Sequence, residues 1–496
     1  MEGKKYFSSK KGNVFVVQNL PEVVKGALFS KYSRSYLGLR ELFEKEFAGI
    51  EENSEGFYDR ILDGYGDDSI AELGGAHLAI EGVSMLAAKA IEDCRIGGSP
   101  LEKSTRYIYF DRKDADGDWQ YYRDRSLMKS CYAFGYVELC DKLFETYSSM
   151  VGRLRPLVES LMPRGEGVST TAYAASVRAK TLDLLRGLLP AASKTNMGVF
   201  GNGRFFSGLL SKLDASPMAE MNDLGIAAFH ELDKVIPAFI KRSRPDHKNQ
   251  VDLLKFLDSM TDSKKSLKVE TRERATCRNV RLVNYDPFAP LNVATMMLFE
   301  ESNASISEIE SALEGADLGK LFERMMEGRT NRRHKGCRAL ENAYFTFEIV
   351  GDFGAYRDLH RHRTLTQERQ RLTCDLGYFI PEEIIGTEFE AEYRSCMNEA
   401  KKFYDKIVKT FPDEAQYIVP MAYNVRWYFK LNLRALQWIC ELRTQPAGHE
   451  NYREVAQKMA RAVCDAFPEF EHFFGFVDYG KYQLGRLGQE IRREEK

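Results

Sequence analysis

Apolar residues recur at helical spacing from Val23 to Phe47 in the run GNVFVVQNLPEVVKGALFSKYSRSYLGLRELFEKEF, which begins at Gly12. The pattern predicts a strand over its first residues and then a helix opening near Pro21, with a break around Gly38. NVRLVNYDPFAPLNVATMMLFEES, from Asn279, offers the same order: a strand, a Tyr-Asp-Pro turn and an apolar helix. The likeness continues downstream. AELGGAHLAIEGVSMLAAKAIEDCRIGGSPLEKSTRY and LENAYFTFEIVGDFGAYRDLHRHRTLTQERQRLTCD each carry a glutamate (Glu72, Glu341), an apolar segment, a helical stretch and an arginine-bearing loop. Farther on, Pro190 leads Asn202 and Arg204 by the same intervals as Pro420 leads Asn432 and Arg434. An ordered series of this kind predicts a two-fold internal repeat. The halves are expected at 1–257 and 278–496, joined by a linker at 258–277, where DSMTDSKKSLKVETRERATC has a polar, linker-like composition. Periodicity by itself supports a mixed α and β protein with more helix than strand.

At 496 residues the chain exceeds one ordinary core, in keeping with two domains. Its 44% apolar and 29% charged residues describe a soluble globular protein, and the net charge of −2 argues against a surface built to grip nucleic acid. No apolar run reaches the length of a membrane span, and MEGKKYFSSKKGNVFVV has no secretory apolar core, so a cytoplasmic protein is expected. Nine cysteines without a Cys-x-x-Cys pair read as reduced thiols, with neither a metal site nor a disulfide frame.

Against this balanced background LHRHRTLTQERQRLTCDLGY, residues 359–378, concentrates His360, Arg361, His362, Arg363, Arg369 and Arg371. Arginines at alternate positions share a face only on a loop or extended segment, and guanidinium forks suit phosphates and planar rings. A solvated basic turn is the bland alternative for the bare tripeptide. RTNRRHKGCR at 329–338 is a second basic cluster, read either as a phosphate contact or as a solvated loop. Phe345, Tyr344 and Trp438 read as core aromatics, His449 and Arg453 as one helical face beside Arg443 or a surface cap, and EIRREEK as a frayed helix end.

The surroundings of Arg361-His362-Arg363 resemble the flavin-dependent thymidylate synthases. Glu341, Phe345-Thr346-Phe347, the Arg-His-Arg, Asn432-Leu433-Arg434 and Leu442-Arg443 follow in that family's order. The first half carries Ser69, Glu72, IEGVS at 80–84, Ser99, Ser104, Arg106 and Tyr107. Departures are complementary. The first half reads Asp93-Cys94-Arg95 in place of Arg-His-Arg and Lys212-Leu213 in place of Leu-Arg. The second replaces the serine-bearing tail with Thr366 and Arg371-x-Thr373, and has Gln416 where the first has Arg186.

The resemblance implies an α+β fold present twice, helices packed with a mainly antiparallel sheet. It implies conversion of dUMP to dTMP with FAD, NADPH and methylenetetrahydrofolate. By its motifs Arg443 is the catalytic arginine that polarises the uracil. Arg361, His362, Arg363, Asn432, Arg434 and Glu341 are cofactor-binding, and Ser99, Ser104, Arg106 and Arg186 are substrate-binding. Because family sites assemble between subunits of a homotetramer, it also implies a homodimer forming a pseudo-tetramer, with sites made jointly by the two halves. The competing reading is a non-catalytic flavin- or nucleotide-binding homologue with degenerate sites. Nucleic acid ranks last, because the basic loop has no aromatic residue before Tyr378.

Overall fold

The computed structural model describes residues 6–47, 70–266 and 278–495, and the same series of elements occurs in it twice. Strand β1 (Gly75–Ser84) leads into helix α1 (Met85–Glu92) and strand β2 (Gly98–Glu102). Helices α2 (Ala133–Leu161) and α3 (Thr170–Leu185) follow, then β3 (Lys194–Asn202) and α4 (Gly203–Asp214). In the second half β4 (Asn279–Tyr285) and α5 (Ala289–Phe299) precede β5 (Tyr344–Asp352), α6 (Phe353–Leu359) and β6 (Thr366–Arg369). Then come α7 (Glu388–Ile407), β7 (Asn424–Asn432), α8 (Leu433–Arg443), α9 (Glu450–Ala466) and α10 (Leu487–Glu494).

The sheets repeat the same antiparallel topology. One runs β1-β3-β2 and the other β4-β5-β7-β6, so β5, β7 and β6 stand as β1, β3 and β2 do, with β4 added at the edge. Registers match too: Gly75 pairs with Asn202 and Ser84 with Lys194, while Tyr344 pairs with Asn432 and Asp352 with Asn424. Each repeat starts its helices the same way. Ser84 and Asp352 cap α1 and α6 through the amides of Ala87 and Ala355. Asn202 and Asn432 cap α4 and α8 through those of Phe205 and Ala435. A short polar side chain at each position satisfies an amide that the first turn cannot bond internally. The structure is therefore the α+β class expected, with antiparallel sheets.

The chain forms two compact units. The first takes described residues through Lys103, Asp124–Ser126 and those from Lys194 to Ser266; the second takes Ser104–Arg123, Leu127–Ser193 and the described residues beyond 272. In the first, Phe205 packs over two glycines paired across the sheet. A Cβ on Gly98 or Gly201 would stand 2.3 Å from its ring, so only glycine leaves the seat open. In the second, the buried stripe of α2 (Tyr136, Leu139, Cys140, Leu143, Phe144, Tyr147, Met150, Leu154, Val158) recurs at helical spacing. α2 runs antiparallel to α7: Lys142 pairs with Glu399 at one end, and Arg153 with Glu388 and Glu392 at the other.

The two proline motifs meet inside this unit. Pro190 and Pro420 form an antiparallel bridge. Around it the Ala191 amide donates to Val419 and the Met421 amide to Leu189, both at 2.9 Å. The prolines face each other at a non-hydrogen-bonded position, where a missing N–H costs nothing.

Two expectations are corrected. Among the described residues no strand precedes Pro21. Phe7 and Val17 make an isolated bridge: Phe15 packs against Phe7 while Val14 and Val16 are exposed, and a single bridge is too short a ladder to count as a strand. The helix after Pro21 ends at Tyr32 and resumes at Leu39, so the break opens earlier than Gly38 alone indicates. Of the polar stretch 258–277, residues up to Ser266 continue the Lys248–Ser266 helix; 267–277, like Ser69, lie outside the described residues. Among the described residues no helix is long and apolar enough to cross a membrane.

Replacing either capping asparagine, Asn202→Ala or Asn432→Ala, is expected to cost about 1 kcal/mol in the unit that contains it, measured by urea denaturation. An equal cost at both positions checks the equivalence of the repeats; a loss at one alone refutes it.

Candidate functional site

The basic loop begins where α6 runs out. His360 caps the helix and lies buried against the Tyr356 ring, and the side chain of Gln367 donates to the carbonyls of His360 and His362 at 2.9 and 3.0 Å. This clamp fixes an alternation: His362 is buried, while Arg361 and Arg363 are exposed. The arginines thus lie outward and the histidine inward, as alternate positions on a loop require. His362 Nε2 accepts from Arg443 Nε at 2.8 Å. Burial, and then the Arg443 charge, push the His362 imidazole well below its usual pKa, so it stays neutral and able to accept. Arg443 ends α8 and lies near the Tyr452 ring of α9.

Tyr452 leads to the first repeat's arginines. Arg106 is buried and donates from Nη1 to the Tyr452 hydroxyl at 3.0 Å. Its Nε and Nη2 grip both oxygens of Asp183, on α3, at 2.7 Å each. Burial pushes the Asp183 carboxyl up, but the Arg106 guanidinium outweighs it and holds the group well below the usual carboxylate range. Arg186 makes the parallel pair. Its Nη1 meets Asp358 of α6 at 2.8 Å, and there too the arginine overrides burial and keeps the carboxyl ionised. Arg186 Nη2 is buried with no hydrogen bond; a Cβ on Gly354 would stand 3.1 Å from it. Buried His449 caps α9 through Nδ1, and its Nε2 lies 3.2 Å from the Asp183 carbonyl. Burial and the Arg186 charge push it well below the usual imidazole range.

The cluster is shared between the sequence repeats. Arg106, Asp183 and Arg186 come from the first, and Asp358, His362, Arg443, His449 and Tyr452 from the second, all within the second compact unit. Ser104 lies at its edge, accepting from the Arg106 amide at 3.2 Å.

Other expected site residues fall elsewhere. Glu341 and Arg434 form an ion pair at 2.6 Å, which Glu72 and Arg204 reproduce at 2.7 Å in the first repeat. Asn432 serves as the α8 cap. Asn432 and Arg434 begin the helix that Arg443 ends, so about 15 Å of helix separates them. Ser99 lies exposed on β2 of the first unit, opposite Phe200. Of the second basic cluster, Arg329 turns inward onto buried Glu441, with Nη1 2.6 Å from Oε1. Phe345 is fully buried, Trp438 half-buried and Tyr344 exposed.

Sequence reasoning missed Asp183, Asp358 and Tyr452. The one available signal was Asp183, a lone carboxylate in the apolar run TLDLLRGLL, where burial demands a cationic partner.

A family profile described as thymidylate synthase complementing protein matches residues 23–238 and 281–469. A UPF0159 protein of Chlamydia pneumoniae is 49% identical, over 97% of this chain and 95% of its own. A UPF0159 protein of Thermoplasma acidophilum is 34% identical, over 95% and 99%. A flavin-dependent thymidylate synthase of Helicobacter pylori is 25% identical over 39% of this chain and 97% of its own length, so it corresponds to about one repeat.

The buried neutral histidines set an acid limit. His362 and His449 have folded-state pKa values below the unfolded value of 6.5. Their contribution to stability is therefore present above pH 6.5 and is lost as pH falls, by about 1.4 kcal/mol per pH unit for each. Urea midpoints are expected to fall between pH 7 and 5, and less steeply in His362→Gln. A flat profile would contradict the buried, neutral assignment.

Proposed function

From a chain that belongs, across both repeats, to the thymidylate synthase complementing protein family, the flavin-dependent thymidylate synthases, we infer that the activity is methylation of dUMP to dTMP. FAD, NADPH and methylenetetrahydrofolate are the co-reactants of this reading. The observation that carries it is the shared cluster, in which Arg106 of the first repeat reaches Arg443 and His362 of the second by way of Tyr452, and Arg186 pairs with Asp358.

Each residue has a definite task. Arg443 hydrogen-bonds the uracil and stabilises charge developing on the ring, the kind of contribution that fixed donors make in a buried site. His362, accepting the Arg443 Nε–H, sets the plane of that guanidinium. Arg361 and Arg363, outward on the loop, fit the phosphates or ring of a flavin dinucleotide. When bound, the reduced flavin supplies the hydride and methylenetetrahydrofolate the one-carbon unit. Arg186, whose Nη2 has no hydrogen bond, and Arg106 contact the phosphate end of the substrate in this reading, with Ser104 at its edge. Glu341, Asn432 and Arg434 lie at the far end of α8 from Arg443 and are the remaining cofactor contacts of the reading. Two chains together would make the pseudo-tetramer.

A second reading draws on the same cluster. Asp183 and Asp358 neutralise Arg106 and Arg186, and a substrate site weakened in this way is what a flavin- or nucleotide-binding homologue without turnover would carry.

Purified chain is expected to show a flavin absorption spectrum with a single flavin per chain, and dUMP- and NADPH-dependent release of dTMP. Arg443→Ala should lower turnover by about two orders of magnitude while flavin content holds. Flavin retention without dTMP formation selects the second reading; absence of flavin binding even with excess FAD sinks both flavin-based readings.

A further inference from the structure

Tyr452 is the link between the two ends of the shared cluster, and the reading above gives it no task of its own. It stands in the first turn of α9 and is 7% exposed. His449 caps that turn, its Nδ1 accepting from the Asn451 amide at 3.2 Å. Gly448 leaves room for the tyrosine: a Cβ there would stand 2.8 Å from Tyr452 Cε2. The Ala447 carbonyl accepts from Arg106 Nη2 at 3.2 Å, so the turn leading into α9 holds the arginine as well.

Two guanidiniums stand on this one ring. Arg106 donates from Nη1 to the Tyr452 hydroxyl at 3.0 Å, and its guanidinium carbon is 5.5 Å from the ring centroid. That of Arg443 lies 5.8 Å from the same centroid. Guanidiniums carry donors only and cannot bond each other. A phenol offers what both can use, an acceptor oxygen and an electron-rich face. The other partners of the two arginines lead apart, Arg106 to Asp183 and Arg443 to His362. Asp358, whose charge reaches both, is itself held by Arg186 at 2.8 Å. Two cations on one ring compete for its electron density, and hydrogen bonds in a buried chain polarise one another. An anion that neutralises Arg106 therefore relieves that competition and strengthens the hold on Arg443.

We propose that Tyr452 is a positioning residue that couples the two ends of the substrate: contact at Arg106 settles Arg443 in the orientation in which it stabilises charge on the ring. The identity of those two ends rests on the function inferred above; the coupling of the two arginines through Tyr452 does not. Binding energy from the remote end of the substrate is thereby realised as turnover rather than as affinity alone.

Two measurements on the full chain test this. With isotope-labelled arginine, the Arg443 Nε–H resonance is identified by its loss in Arg443→Lys and followed by NMR. Arg106→Lys is expected to shift it, although the two guanidiniums share no hydrogen bond, and the shift should vanish when Tyr452→Phe is added. A resonance that ignores Arg106→Lys, or that shifts equally without the tyrosine hydroxyl, overturns the coupling. Steady-state kinetics give the second readout and require no change at Arg106, so they decide should Arg106→Lys fail to fold. Wild type should turn over deoxyuridine, which lacks the phosphate end, with kcat at least about tenfold below that for dUMP. Tyr452→Phe should lower kcat for dUMP toward the deoxyuridine value and leave that of deoxyuridine unchanged. Equal losses for both substrates, the sign of a merely structural role, or no loss for either, refute the proposal. A wild type without dUMP turnover defeats the inferred reaction instead, and the Arg443 resonance then decides the coupling by itself.

Discussion

The direct pairing of Pro190 with Pro420 is the contact on which the rest of the second unit turns. Two segments of equivalent sequence meet antiparallel, and reciprocal bonds run from Ala191 to Val419 and from Met421 to Leu189. The arrangement is a local two-fold axis written into one chain. It sets Arg186, four residues before the first proline, within reach of Asp358 on the other repeat. α3, which carries Asp183, is brought alongside the start of α9 by the same crossing. Proline suits the crossing because its fixed φ and missing N–H match a non-hydrogen-bonded position.

Buried charge then dictates what surrounds the axis. Removing a guanidinium from water is unfavourable unless a carboxylate or a strong acceptor meets it. Arg106, Arg186 and Arg443 are met by Asp183, Asp358 and neutral His362 respectively. Each arginine is thereby held in one orientation before any ligand arrives, the preorganisation that both binding and catalysis reward.

Much of this was legible in the chain, and the residues explain where legibility stopped. The repeat was readable because an asparagine and an arginine recur at fixed distances after the two prolines. The alternation through Arg361, His362 and Arg363 was readable because it is local. Asp358 and Tyr452 could not be placed, since their meaning comes from partners far away in sequence: Tyr452 lies 346 positions from Arg106. Asn432 and Arg434 also have roles that the sequence did not announce. Their spacing is regular in both repeats, yet their contacts are a helix cap and an ion pair with Glu341, so a regular motif can record local architecture as readily as chemistry. The strand expected before Pro21 is reduced to one bridge, Phe7 to Val17, because the pairing partner it needed is not visible in the local pattern.

The exchange of Arg186 for Gln416 across the Pro190–Pro420 axis has a consequence for how such a chain can evolve. In a symmetric homo-oligomer one gene writes both sides of every interface, so any change appears at two places at once. Here each side has its own codon. Gln416 accepts from the Leu372 amide at 3.1 Å, an ordinary loop contact, while Arg186 keeps a buried charge. Covalent fusion has released each copy from the obligation to match its twin, and inheritance can now act on half of a site at a time.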